Sequence, residues 1–267
     1  MSIYISPKGH RYDRQIPPPM PAHRMITRAT PGLSLVIDLR SWCGPVKDQG
    51  QEGSCTAHAG TSANEWIHRR YLKSSPIFSP QYTYAKELLL DGDFPNDNGS
   101  DGQTLCNTMI VNGCCEESLY PYVPGQILKP TAAQDLNAAK YRLGAYHGLA
   151  GSVVAHSVLA DPTPWPIEIG FTVYESFESD QVAETGIMPM PRASEQILGG
   201  HEVLIVGCDL ENLPTIRPLS CPPAFLVQNS WSTGWGIAGF FWMPVPVLDD
   251  PQTDLKIAHA GHPWRSA

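Results

Sequence analysis

The apolar positions change their period along this chain. From Thr56 to Leu72 they recur at helical spacing, with Ala59, Ala63, Trp66 and Ile67 forming an inner face. Arg69, Arg70 and Lys73 gather where the negative end of that helix would fall, which supports the same element. Ser79-Pro80 offers a capping hydroxyl followed by proline at the first helical position, so a second helix is expected over Gln81 to Leu90, with Tyr84 and Leu88 inward. A turn-rich stretch from Gly92 to Gly102 leads to a third helix, Gln103 to Asn112, stopped by Gly113. After Pro124-Gly125 the character shifts. One helical piece, Ser152 to Ala160, is followed by short apolar runs at Ile167 to Val173, Val203 to Val206, Ala224 to Gln228 and Phe240 to Met243 that read as strands, as does Leu35 to Leu39. The pattern predicts an α+β protein, helical first and sheet-rich afterwards.

The two ends differ from this body. Residues 1 to 34 show no hydrophobic period, and Pro17-Pro18-Pro19-Met20-Pro21 forbids a regular helix, so an extended tail is expected. Residues 249 to 267 are polar and weakly patterned, and no element is assigned to them.

Composition narrows the function classes. With 267 residues and 42% hydrophobic content the chain can bury a proper core, as one large domain or two modest lobes. A net charge of −8 argues against nucleic acid or anionic membrane as partners. No window has the apolar length of a membrane span, and Met1 to Lys8 lacks a signal-peptide core; the expected location is cytoplasmic, or outside by a leaderless route. The seven cysteines are odd in number and form no Cys-x-x-Cys pair, so no zinc is expected. Cys106, Cys114 and Cys115 are assigned to one helix as small buried apolar groups.

Three blocks carry candidate chemistry. Val46 to Ala59 is a glycine-studded loop that delivers Cys55 to the start of the first helix, where the positive end of the helix dipole favours a thiolate. Gln49, six residues upstream, could donate its amide to an oxyanion beside the Cys55 N–H. His201 follows Gly199-Gly200 and opens an apolar strand, and Asn229 ends another, where its amide oxygen could orient an imidazole. Taken singly each has a bland reading: a structural cysteine, a capping histidine, a strand-end amide. His58, one turn past Cys55, is a rival base, but it should point away from the mouth and is read as structural.

In order, type and spacing these blocks resemble the papain family of cysteine peptidases. The likeness runs from about residue 36 to 243 and includes Asn229-Ser230-Trp231 with the following Gly234-Trp235-Gly236, Ser79-Pro80-Gln81, Asn98-Gly99-Ser100 and Tyr120-Pro121-Tyr122. The resemblance implies a two-lobe fold with a helical lobe at about 42–124, an antiparallel β-barrel lobe at about 125–248 plus 35–41, and a cleft between them. It implies a Cys55–His201–Asn229 triad shielded by Trp231, an oxyanion hole from Gln49 and the Cys55 N–H, polypeptide substrates and no cofactor. Asn98, Gly99 and Ser100 match the family's loop that pairs with extended substrate, and Gly170, Phe171, Gly199 and Gly200 are expected to wall its main specificity pocket.

This chain also departs from the family. Thr56 replaces a bulky aromatic after the nucleophile, and Glu52, Asp97 and Lys86 stand at positions of bridging cysteines, as suits a reducing compartment. A catalytically silent binding or inhibitory homologue and a thioester-using acyl transferase or ligase are the alternative readings. The long helical pro-segment usual in the family does not fit the first 34 residues. That tail has five basic side chains and one acidic, a charge of +4 that leaves −12 on the remainder, so it is expected to fold over the cleft, with Tyr4, Arg11, Tyr12, Arg14 and Ile16 as contacts.

Overall fold

The structure is a computed structural model that describes residues 32–149, 151–211, 222–251 and 253–259. The tail residues Tyr4, Arg11, Tyr12, Arg14 and Ile16 lie outside the described residues, and so does its suggested place over a cleft.

Helix α1, Cys55–Ile67, is the axis of the molecule, and every one of its residues is buried. A helix apolar or satisfied on all sides has to be wrapped by other elements. On one side lie α2, Pro80–Asp91, and α3, Gly102–Val111. Gly60 permits the close approach of α3, since a Cβ there would fall 2.5 Å from a Leu105 methyl and 2.6 Å from the Met109 sulfur. Ser79 Oγ caps α2 by accepting from Tyr82 N, and Asp101 caps α3 by accepting from Thr104 N. The expected first helix ends as a π-helical turn, His68–Leu72, closed by Lys73 in the left-handed region at φ 52°.

On the other side of α1 lies an antiparallel sheet. Its strands are β1 (Val36–Asp38), β2 (Ala145–Gly148), β3 (Ile167–Tyr174), β4 (Ile197–Asp209), β5 (Ala224–Gln228), β6 (Phe240–Pro244) and β7 (Asp254–His259), ordered β2-β7-β3-β4-β5-β6 with β1 also pairing β4. The expected barrel is an overstatement, because the sheet does not close on itself. The outer edge of β6 is instead occupied by the segment after α6 (Asp180–Thr185): Trp242 N donates to Gly186 O, and Met188 N donates to Trp242 O. A covered edge has no need of closure.

The register of β3 on β4 decides which side chains share a face. Phe171 opposes His201, Ile169 opposes Val203 and Ile167 opposes Ile205, while Gly170 opposes Glu202 and Glu168 opposes Leu204. The His201 face packs into a core with Phe177, Trp231, Phe241 and α5, Gly151–Leu159. The opposite face supplies Leu204 and Val206 to a second core around Ala63, Trp66 and Met109.

Several elements lie beyond the sequence expectations. The weakly patterned C-terminal segment contributes β7, which inserts between β2 and β3. A helix, α4 (Ala132–Ala138), carries a full capping box from Thr131 and Gln134, and it docks on α2 through Tyr82 OH donating to Asp135 Oδ1 at 2.8 Å. Of the three cysteines assigned to one helix only Cys106 is helical; α3 stops at Val111, and Cys114 and Cys115 follow the turn at Gly113. All three are buried, and every cysteine among the described residues is a free thiol.

Candidate active site

Cys55 is the first residue of α1 and is 1% exposed. The loop that delivers it is stitched to the end of β5. Gln49 N donates to Ser230 O at 2.9 Å, Ser232 N donates to Lys47 O at 3.0 Å, and Asp48 bridges Trp231 in antiparallel fashion. Two blocks about 180 residues apart thereby become neighbours.

Gln49 is buried and held at both ends of its amide. Ser230 Oγ donates to Gln49 Oε1 at 2.5 Å, and Gln49 Nε2 donates to Glu52 O at 3.0 Å, which employs one of its two hydrogens. Ser230 therefore fixes which way the amide faces. Tyr122 fastens the same loop from outside. A carbonyl can only accept, so the phenol donates to Gln49 O at 2.9 Å and accepts from Ser54 Oγ at 2.8 Å, joining the Gln49 and Cys55 ends of the turn. Burial, the largest cause, pushes the Tyr122 phenol far above its usual range, which keeps it a neutral donor.

The positions where the resemblance implies bridging cysteines carry polar contacts. Glu52 accepts from Gln81 Nε2 at 3.0 Å and from Gly125 N at 2.8 Å; burial raises its pKa, the Gly125 and Gln81 bonds oppose that, and nearby Asp97 adds to the rise. Asp97 Oδ1 accepts from Gly53 N at 2.9 Å and Tyr84 OH at 2.5 Å. Lys86, at another such position, pairs with Asp135 at 2.7 Å. Thr56, in place of the aromatic, donates to the buried Glu87 at 2.6 Å.

The histidine and asparagine meet on the sheet side. His201 Nε2 lies 2.8 Å from Asn229 Oδ1, which also accepts from Ser230 N at 2.8 Å. An amide oxygen only accepts, so His201 carries its proton on Nε2, and Nδ1 is the nitrogen left to exchange one. Trp231 stacks on the imidazole with ring centres 4.8 Å apart and planes 21° apart, and Trp235 meets Trp231 edge-on at 5.0 Å.

The expected substrate residues separate into groups. Asn98 is exposed, whereas Gly99 and Ser100 are buried; Gly99 N donates to Tyr84 OH at 3.0 Å and Ser100 Oγ to Asp91 at 2.9 Å. Their loop touches the nucleophile loop through Asp97 and Gly53. Gly199 has open space around it, since a Cβ there would meet nothing within 4 Å, while Gly200 is buried one residue before His201. Gly170 is buried opposite Glu202. Phe171 does not wall a pocket: its register with His201 turns it into the core, fully buried with ring centres 5.3 Å from Phe177 and 6.0 Å from His201. It backs the imidazole instead.

His58, the rival base, is bonded to the backbone at the start of its own helix. Nδ1 lies 2.8 Å from Ser54 O, and burial pushes its pKa down to about 3, so it is neutral. Among the described residues no group of three or more histidine, cysteine or acidic side chains could hold a metal, and no helix is long and apolar enough to cross a membrane.

Comparison with known proteins adds the family. The sequence model described as papain family cysteine protease matches residues 34–248. The chain belongs to the papain family. It is 32% identical over 212 residues to an uncharacterized peptidase C1-like protein of Acanthamoeba polyphaga mimivirus, covering 76% of this chain and 65% of the relative. It is 31% identical over 205 residues to digestive cysteine proteinase 1 of Homarus americanus, covering 74% and 58%. The chain thus spans about three-fifths of the length of the curated relatives it matches. Among solved structures it is similar to xylellain, a cysteine protease from Xylella fastidiosa, with a TM-score of 0.74, 26% identity and coverage of 86% of this chain and 88% of that one. The proform of the ragweed cysteine protease Amb a 11 shares the fold at a TM-score of 0.69 and 19% identity, over 88% of this chain and 69% of that one.

Sequence reasoning missed Ser230 and Tyr122 as supports of Gln49. Tyr120-Pro121-Tyr122 was a visible signal, but its target, the Gln49 carbonyl, is a backbone atom with no trace in sequence.

Proposed function

We propose that this protein hydrolyses peptide bonds through a Cys55–His201–Asn229 triad and a thioester acyl-enzyme. The observation that carries this reading is the His201–Asn229 bond of 2.8 Å under the Trp231 ring, in a chain whose Cys55 opens the buried central helix. The helix N-terminus stabilises a thiolate, and its proton moves to His201 Nδ1. The Cys55 sulfur attacks the substrate carbonyl carbon, and the carbonyl oxygen gains the charge. The Cys55 N–H and the second hydrogen of Gln49 Nε2 donate to that oxygen. His201 then gives its proton to the leaving amine as the C–N bond breaks, and afterwards takes one from the water that cleaves the thioester. Asn229 keeps the ring in the productive tautomer while Trp231 excludes water from their bond.

Extended substrate is proposed to run past Asn98 to Ser100, with its main side chain in the space beside Gly199. The N-terminal tail is proposed to restrain access through its charge of +4 against −12 on the rest. Polar pairs at the bridging positions support a reducing compartment such as the cytoplasm.

The test is cleavage of a fluorogenic dipeptide amide together with mass-spectrometric mapping of a thiol-directed epoxide. Epoxide on Cys55, with cleavage lost in Cys55→Ala and His201→Ala, is expected, and Gln49→Ala should lower turnover by about 10²–10³-fold. Full cleavage by Cys55→Ala would overturn the reading. Hydrolysed product, rather than an amine adduct, separates a peptidase from a ligase.

A further inference from the structure

Behind the His201–Asn229 pair lies a small cavity lined by several polar side chains, three of which carry a buried atom without a hydrogen bond of its own. Among the described residues His58 Nε2, Gln228 Oε1 and Asn229 Nδ2 are buried without a hydrogen bond. All three residues line one small cavity, which offers about 10 Å³ to a water molecule and is also walled by Lys47, Ser62 and Glu202. That is close to the ~10–15 Å³ a single water requires.

The chemistry of the three atoms is fixed by their neighbours. Ser54 O can only accept, so the proton of neutral His58 sits on Nδ1 and Nε2 is a bare acceptor. Asn229 Oδ1 is taken by His201 and by Ser230 N, so Nδ2 is its amide nitrogen and a donor. Gln228 Oε1 is an acceptor. Two acceptors and one donor are the complement of one water, which gives two hydrogens and receives one.

We infer that a buried water bridges His58, Gln228 and Asn229, and that His58 and Gln228 act through it as positioning residues for the Asn229 amide. The bridge opposes rotation of that amide, which would swap its oxygen for its nitrogen and present a donor to His201 Nε2. The part of this inference that concerns turnover rests on the triad reading; the water site does not.

The experiment has two arms. A high-resolution crystal structure of the wild-type protein should show a water within ~3.2 Å of all three atoms; an empty cavity there would overturn the proposal, whether or not the protein cleaves peptides. In the second arm His58→Phe is made in the wild type and in Asn229→Ala, with kcat and KM followed for the fluorogenic dipeptide amide. Acting through Asn229, it should lower kcat about tenfold with KM unchanged in the wild type, and by less than about twofold once Asn229 is gone. An equal loss in both backgrounds would mean that His58 serves only the fold. Gln228→Leu removes the other acceptor and should give the same non-additive result if His58→Phe does not fold. A water in place with no peptide cleaved by the wild type would sink the triad reading and leave the water site standing.

Discussion

The two sides of the active site are held by different physics. On the helical side Cys55 and Gln49 sit in a polar lattice of Tyr122, Ser54, Glu52, Gln81, Asp97 and Tyr84, every link of it a directed hydrogen bond. On the sheet side His201 sits among rings: Trp231 stacks on it, Phe171 backs it, and Phe177, Trp235 and Phe241 pack around them. Rings fix the plane of the imidazole without titrating. The lattice fixes a loop where the family resemblance implies a covalent bridge, at the cost of burying groups whose charge depends on pH.

The aromatic side should show the largest effect. Trp231→Ala removes a fully buried ring, for which about 3–5 kcal/mol of stability is expected to be lost, and it opens the His201–Asn229 bond to water. Denaturant unfolding and kcat measured on the same preparation should both fall. Normal kcat in the folded fraction would show that the rings support the fold and not the imidazole.

Next in size is the response to acid. Folded His58 resists protonation down to about 3, whereas an unfolded histidine titrates near 6.5, so the unfolded state binds the extra proton between those values. Stability from this residue is complete above pH ~6.5 and falls as pH drops toward ~3, by up to ~1.4 kcal/mol per pH unit. Subtracting the stability profile of His58→Phe from that of the wild type should reveal that slope. Parallel profiles would mean that the buried ring protonates without cost.

Tyr122→Phe comes third. It deletes one oxygen from the lattice and leaves Gln49 O and Ser54 Oγ each short of a partner, a loss of about 1–3 kcal/mol. Turnover should fall about tenfold with KM little changed, because the loop that carries Gln49, the proposed oxyanion donor, loosens. A change in KM alone would place Tyr122 in substrate binding.

The smallest effect expected is none at all. No described cysteine is in a disulfide, and Glu52, Asp97 and Lys86 stand where the family resemblance implies bridging cysteines, so a reductant should leave the melting temperature unchanged. A clear fall in melting temperature with reductant would mean that a bridge supports the fold after all.

What could be read in the sequence follows the same division. α1, α2 and α3 were legible because a period of 3.6 and a cap or stop residue coincide in each. Cys55, His201 and Asn229 could be singled out as candidates because each stands in a block with its own turn chemistry. β7 was not legible, because its alternation, Asp254-Leu255-Lys256-Ile257, spans only four residues in an otherwise polar segment, and its strand is completed by pairing with β2 and β3. Phe171 lies in the core and not in a pocket wall, a difference the sequence does not carry because only the register with β4 tells which face a strand residue takes. The replacement of bridges by Lys86–Asp135 and by the Asp97 contacts was half visible: the sequence shows a missing cysteine but not its substitute.

The central claim is that the two sides meet in a thiolate–imidazolium pair, and the pH dependence of Cys55 alkylation measures it most directly. With the pair in place, iodoacetamide should modify Cys55 rapidly well below pH ~8.5, where a free thiol ionises, and His201→Ala should return the profile to that of an ordinary thiol. A single ionisation near ~8.5 in both proteins would contradict the account.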